Sequence, residues 1–68
     1  MTMKLPRLDS DKRYAVLAKR HPSDREWTLW TQTNTLKYAR LFARRIKSLG
    51  YYSGIVDTWN NEMIEEDK

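Results

Sequence analysis

The chain contains no cysteine, two glycines, two prolines and a single histidine. Without cysteine there is no disulfide framework, no thiolate nucleophile and no thiolate-built zinc site. The sequence also lacks a glycine-rich phosphate loop, an H-E-x-x-H pair and a G-x-S-x-G elbow. No apolar run approaches the roughly 20 residues that a membrane-crossing helix needs. The first residues, Met1–Pro6, are too short and polar for a signal peptide. These absences set the first expectations: no catalytic residues, no metal, no cofactor, no membrane partner, and a cytoplasmic location.

A further absence is local. From Asn34 to Thr58 the only acidic side chain is Asp57. Thirteen Lys and Arg against nine Asp and Glu give a net charge of +4. That balance conceals an asymmetry, since residues 1–50 carry twelve cations and four acids, whereas residues 51–68 carry one cation and five acids. The acids crowd the end of the chain, with Glu62, Glu65, Glu66 and Asp67 in the last seven positions.

What is present is a small core. A chain of 68 residues hides only roughly 60% of its unfolded surface on folding, so it has one domain at most. Its three Trp, four Tyr and one Phe argue against a disordered polar chain. The composition divides it into a flexible N-terminal arm over 1–11, a single domain over 12–59 and an acidic C-terminal tail over 60–68.

Within the domain, Tyr14–Lys19 reads as a short apolar strand. His21-Pro22-Ser23-Asp24 fits a turn with proline at its second position. Glu26–Thr33 is dense in aromatic and β-branched residues and reads as a second strand. Thr33, Asn34 and Thr35 supply helix N-caps, the helix runs Leu36–Leu49, and Gly50 stops it. Tyr52–Trp59 is the third strand, with Gly54 a candidate bulge. The resulting expectation is an α+β two-layer sandwich, β-β-α-β. Its three-stranded antiparallel sheet has the order 2-1-3, and a right-handed crossover lays the helix on one face.

The helix has a two-sided character. At about 100° per residue, Leu36, Ala39, Phe42, Ala43, Ile46 and Leu49 form one apolar arc, with Tyr38 at its margin and Leu41 isolated outside it. Lys37, Arg40, Arg44 and Lys47 gather opposite, and Arg45 flanks them. Solvated helix faces usually mix signs, because oppositely charged pairs four apart stabilise by about 0.2–0.5 kcal/mol and like pairs cost as much. A row of cations with no acid among them points to an anionic partner. Three readings stay open: a solvated face, contact with nucleic-acid phosphates, and an acidic protein surface, including this chain's own tail. Lys19, Arg20 and Arg25 add cations in the hairpin loop, where a solvated turn is the competing reading.

Trp27 and Trp30 stand three apart in a strand, so without a bulge between them they point to opposite sheet faces. One helix covers one face, leaving a second apolar face to be accounted for. A homodimer through that open face, a partner protein anchored on Trp27, Trp30 or Trp59, and stacked nucleic-acid bases are three candidate covers. The fourth is the chain itself, through Leu5 and Leu8 of the arm or Met63 and Ile64 of the tail. His21, Asp24 and Glu26 make a weak metal-ligand set on a loop, better read as a solvated turn.

The stretch Ala39–Val56 (A-R-L-F-A-R-R-I-K-S-L-G-Y-Y-S-G-I-V) is similar to the helix, glycine and strand portion of many small α+β modules. The repeat halves of peptidoglycan-binding sporulation-related domains are among them. The likeness consists of periodic apolar residues and one capping glycine over about a quarter of the chain, and it implies no function. In size and style the chain also resembles small phage proteins that inhibit host machinery.

The sequence therefore sets two expectations. The first is a non-enzymatic basic module that contacts DNA or RNA phosphates through Lys37, Arg40, Arg44, Arg45 and Lys47, assisted by Lys19, Arg20 and Arg25. The second is a protein-protein interaction module using the aromatic sheet face, such as a phage-type, anti-CRISPR-like inhibitor or an adaptor of a nucleic-acid-handling complex.

Overall fold

The computed structural model describes residues 6–66. The element order is β1 (Tyr14–Lys19), β2 (Thr28–Thr33), α1 (Leu36–Ser48), β3 (Tyr52–Asp57) and β4 (Glu62–Glu66). The strands form one antiparallel sheet in the order β2-β1-β3-β4. The expected α+β class, the single helix and the 2-1-3 arrangement are present. The sheet has four strands instead of three, because the acidic stretch expected to be a tail pairs with β3. Asn61 takes the left-handed conformation, φ 55°, that an Asn tolerates in a tight turn, and this returns the chain alongside β3. The first five residues of the expected arm, Leu5 included, and the last two of the expected tail lie outside the described residues.

Local chemistry accounts for the helix ends. Thr35 is the N-cap, and its hydroxyl accepts the Tyr38 N–H at 3.4 Å. At the other end Gly50 has φ +91°, a conformation that disfavours any residue with a Cβ. Its N–H donates to the Lys47 carbonyl and the Tyr51 N–H to the Ile46 carbonyl, a Schellman closure. Tyr51 thereby joins Ile46 in the core. The helix ends at Ser48, so Leu49 is its cap and lies exposed, outside the apolar arc assigned to it by periodicity.

The sheet is apolar on both faces, and both are covered. On one, Val16, Ala18 and Ile55 pack against Ala39 and Ile46 of α1. On the other, Ala15, Leu17 and Val56 are fully buried beneath Trp27, with Leu8 and Met63 at the margin. The expected open face is closed by the chain's own residues, one from the arm and one from β4, as the fourth sequence alternative had it. Homodimerisation through that face therefore loses its premise. Gly54 is where this second layer is tightest: a Cβ there would stand 2.9 Å from Met63 Sδ and 3.2 Å from the Trp27 ring. The register irregularities fall at Val16/Leu17 and at Ile55/Val56, so Gly54 serves close packing and is not a bulge.

One corner ties arm, β1 and β3 together. Asp57, almost fully buried, accepts from Arg13 Nη2 at 3.2 Å, from Asn60 Nδ2 at 2.9 Å and from the Trp59 N–H at 3.0 Å. The Arg13 guanidinium lies 5.3 Å from the Tyr14 ring centroid and 4.9 Å from that of Trp59, and the Trp59 indole N–H donates to the Ser10 carbonyl. Burial pushes the Asp57 carboxyl up, but the hydrogen bonds from Arg13, Asn60 and Trp59 outweigh it and hold the group below its ordinary value of 3.8.

Two outcomes follow from this packing. Gly54→Val overfills the space between Met63 and Trp27 and lowers unfolding stability by about 1–3 kcal/mol in denaturant titrations; an unchanged midpoint would show the layer to be loose. A depressed carboxyl contributes stability that is complete above its unfolded value and is lost as pH falls through the folded one. Thermal melts from about pH 7 downward should therefore decline below about pH 4, and Asp57→Asn should be less stable at neutral pH with a shallower acid decline. Parallel declines in the two proteins would remove Asp57 from that role.

Candidate functional site

The two tryptophans of the hairpin exchange the roles that one-sided coverage implies. Leu29 pairs with Leu17 and Thr31 with Val16, so Trp30 is the extra residue of a bulge. Trp27 lies on the face away from the helix, yet it is 4% exposed; Trp30 lies on the helix side, beside Ala18, Thr28 and Tyr51, yet it is 42% exposed. The helix packs chiefly on β3 and β1 and least on β2, so facing the helix does not bury Trp30.

Trp30 stands in a groove of about 530 Å³ shared with Tyr51 and with the hairpin residues Lys19, Arg20, Asp24, Arg25 and Glu26. The hairpin turn is closed as expected. The Asp24 N–H donates to the His21 carbonyl at 3.0 Å, and the His21 N–H donates to Asp24 Oδ2 at 3.2 Å. Asp24 is therefore committed to the turn. Among the described residues no three His, Asp or Glu side chains are placed to hold one metal ion. Lys19 is also turned inward, donating to the Pro22 and Asp24 carbonyls and lying 4.3 Å from the Trp27 ring centroid. Arg20 and Arg25 are exposed and make no ion pair among the described residues.

One cation of the helix row is answered by the chain's own acidic stretch, one of the three readings the sequence left open. β4 carries Glu65 to the helix flank, and its Oε2 accepts from Arg40 Nε at 2.7 Å. Lys47 is engaged as well. Lys37 and Arg44 make no ion pair among the described residues. The pair also orients the helix. Arg40 marks the flank above β4. Tyr38, Arg45 and Leu49, within about 40° of one another on the wheel, lie across the buried Ala39–Ile46 stripe and so face the β2 side. Arg45 is thus on the same side of the molecule as the groove, although loop and helix cations are far apart in sequence.

Trp59, proposed as an interface aromatic, is 62% exposed but is held by Arg13 and Ser10 in the Asp57 corner. Tyr51 was overlooked as a site residue. Its position directly after a glycine helix stop, where a Schellman closure places an apolar side chain, is the signal that finds it. No helix is long and apolar enough to cross a membrane among the described residues. Comparison with protein-family models, curated proteins and solved structures found no match.

The burial contrast is measurable. Trp27→Ala removes the cover of the second face and costs about 3–5 kcal/mol. Trp30→Ala costs under about 1 kcal/mol in denaturant unfolding, as expected of an exposed site. Equal losses would place both rings in the core.

Proposed function

We propose that the protein is a non-enzymatic binding module for single-stranded nucleic acid. Its contact surface is the groove at Trp30, extended by the helix cations that make no ion pair among the described residues. One observation carries this reading: the exposed Trp30 indole shares its groove with Tyr51, Arg20 and Arg25, on the side that also bears Arg45. Aromatic rings beside cations suit an unpaired strand, since each base has a face to stack and each nucleotide a phosphate to neutralise. Asp24 and Glu26 in the same groove limit the attraction and favour few contacts over a long basic track. Phosphate contacts position without specifying, so sequence preference is weak.

Fluorescence and gel-shift titrations with DNA and RNA oligonucleotides at several salt concentrations test the proposal. Phosphate contacts by Arg20, Arg25, Arg44 and Arg45 give a log–log salt slope of about −3 for a single strand. Trp30→Ala weakens binding by about 1–3 kcal/mol, roughly 5- to 150-fold. Absence of binding at low salt ends the reading.

A second reading, a protein-protein interaction module, is favoured by the exposure of Leu29, next to Trp30 in β2, since stacking on bases leaves this side chain unused. It predicts a stoichiometric complex with a host protein that is lost in Trp30→Ala, together with no oligonucleotide binding.

A further inference from the structure

A strand seated in the Trp30 groove can leave it in two directions, and their chemistry differs. At the hairpin end the lining includes Asp24 and Glu26 beside Arg20 and Arg25, so phosphates passing there meet carboxylates. The other way runs between β2 and the near flank of α1, and neither element carries an acid over Thr28–Thr33 or Leu36–Ser48. α1 packs on β2 less than on β3 or β1, and the rings toward the two ends of this seam, Trp30 and Tyr38, are exposed. Thr31 is aligned with Val16 and Thr33 with Tyr14, both on the helix side of the sheet. The sheet wall of the seam is therefore uncharged and hydroxyl-bearing. Its helix wall holds Tyr38 and Arg45, and Arg45 makes no ion pair among the described residues. The two side chains share the β2-side flank, about 10 Å apart along the helix axis.

We propose that a bound single strand follows this seam, from the groove at Trp30 past Arg45 to Tyr38, and that Tyr38 is a second stacking platform. The inference rests on the nucleic-acid reading and adds the path and length of the ligand. An unpaired base lays its face on an exposed ring whatever its identity, and rings set at intervals among cations hold successive bases in this way. Trp30 takes one base, and Arg45 takes a phosphate beyond it. The flank from Arg45 to Tyr38 spans about three nucleotides at the roughly 3.4 Å spacing of a stacked strand, and fewer in an extended one. With the nucleotide in the groove, the site holds about three to four. A duplex does not suit this use, because its bases already stack on one another and offer no free face.

Calorimetric titrations of the full chain at low salt, with oligothymidylates of two to eight nucleotides, test it. Affinity should climb up to about four nucleotides and then level. Tyr38→Ala should weaken the tetramer and the octamer by roughly 5- to 150-fold. It should leave the dinucleotide unchanged, because that ligand does not reach the ring. Tyr38→Phe should bind like the wild type, since the ring face is kept. Circular dichroism should show Tyr38→Ala folded, as expected of an exposed side chain. Affinity that levels at two nucleotides, or climbs as steeply through eight, overturns the proposal and leaves the Trp30 site standing. So does a Tyr38→Ala protein that matches the wild type at every length. Absence of binding at every length removes the nucleic-acid reading itself, and the path with it.

Discussion

Trp27 is the side chain on which the rest of this structure depends. A sheet with one helix has one covered face, and a chain of 68 residues has little else to place on the second. The indole, 4% exposed, lies over Leu17, Ala15 and Val56 and reaches as far as Gly54. A ring of this size removes about 150–250 Å² from water, which on the usual area scale is several kcal/mol of stabilisation. Met63 and Leu8 complete the layer from opposite directions along the chain. Their contribution is why the acidic segment is a strand: β4 brings Met63 to Gly54, and the irregularity opposite Ile55/Val56 turns Glu65 to the other face, over the helix flank.

That arrangement redistributes charge. Glu65 neutralises Arg40 from the β4 side. Arg20, Arg25, Lys37, Arg44 and Arg45, which make no ion pair among the described residues, lie in the hairpin and on the parts of the helix farther from β4. The exposed ion pair itself contributes little to stability, on the order of 0–1 kcal/mol. Its consequence is spatial, because it separates an acidic sheet edge from a basic, aromatic one. Trp30 and Tyr51 stand at the second.

Much of the fold was legible in the residues. Tyr14–Lys19 has the predicted bounds, and the Thr35 cap and Gly50 stop are local chemistry that acts wherever the helix docks. The strand order followed from the handedness of a β-α-β crossover and from the apolar character of β1. The site was legible only in part. Arg20, Arg25 and Trp30 were singled out separately, but their shared groove depends on the height at which the hairpin loop meets the helix end. Tyr51 was missed because in sequence it is an ordinary aromatic after a glycine. That the chain's own acids would answer the α1 cations was one open reading, but that Arg40 is the one answered was not legible, since Glu65 lies 25 positions away and no helical or strand periodicity links the two.

The amino-acid order by itself determined the elements, the caps, the two-sided apolar sheet and the parity that separates Trp27 from Trp30. These are consequences of backbone geometry and of side-chain alternation over a few residues. Only the tertiary structure decided which tryptophan is buried, where the glutamates go and which cations remain available. Those outcomes rest on pairing between segments distant in the chain. There, loop closure, layer coverage and charge are satisfied together, and no local preference selects among the alternatives.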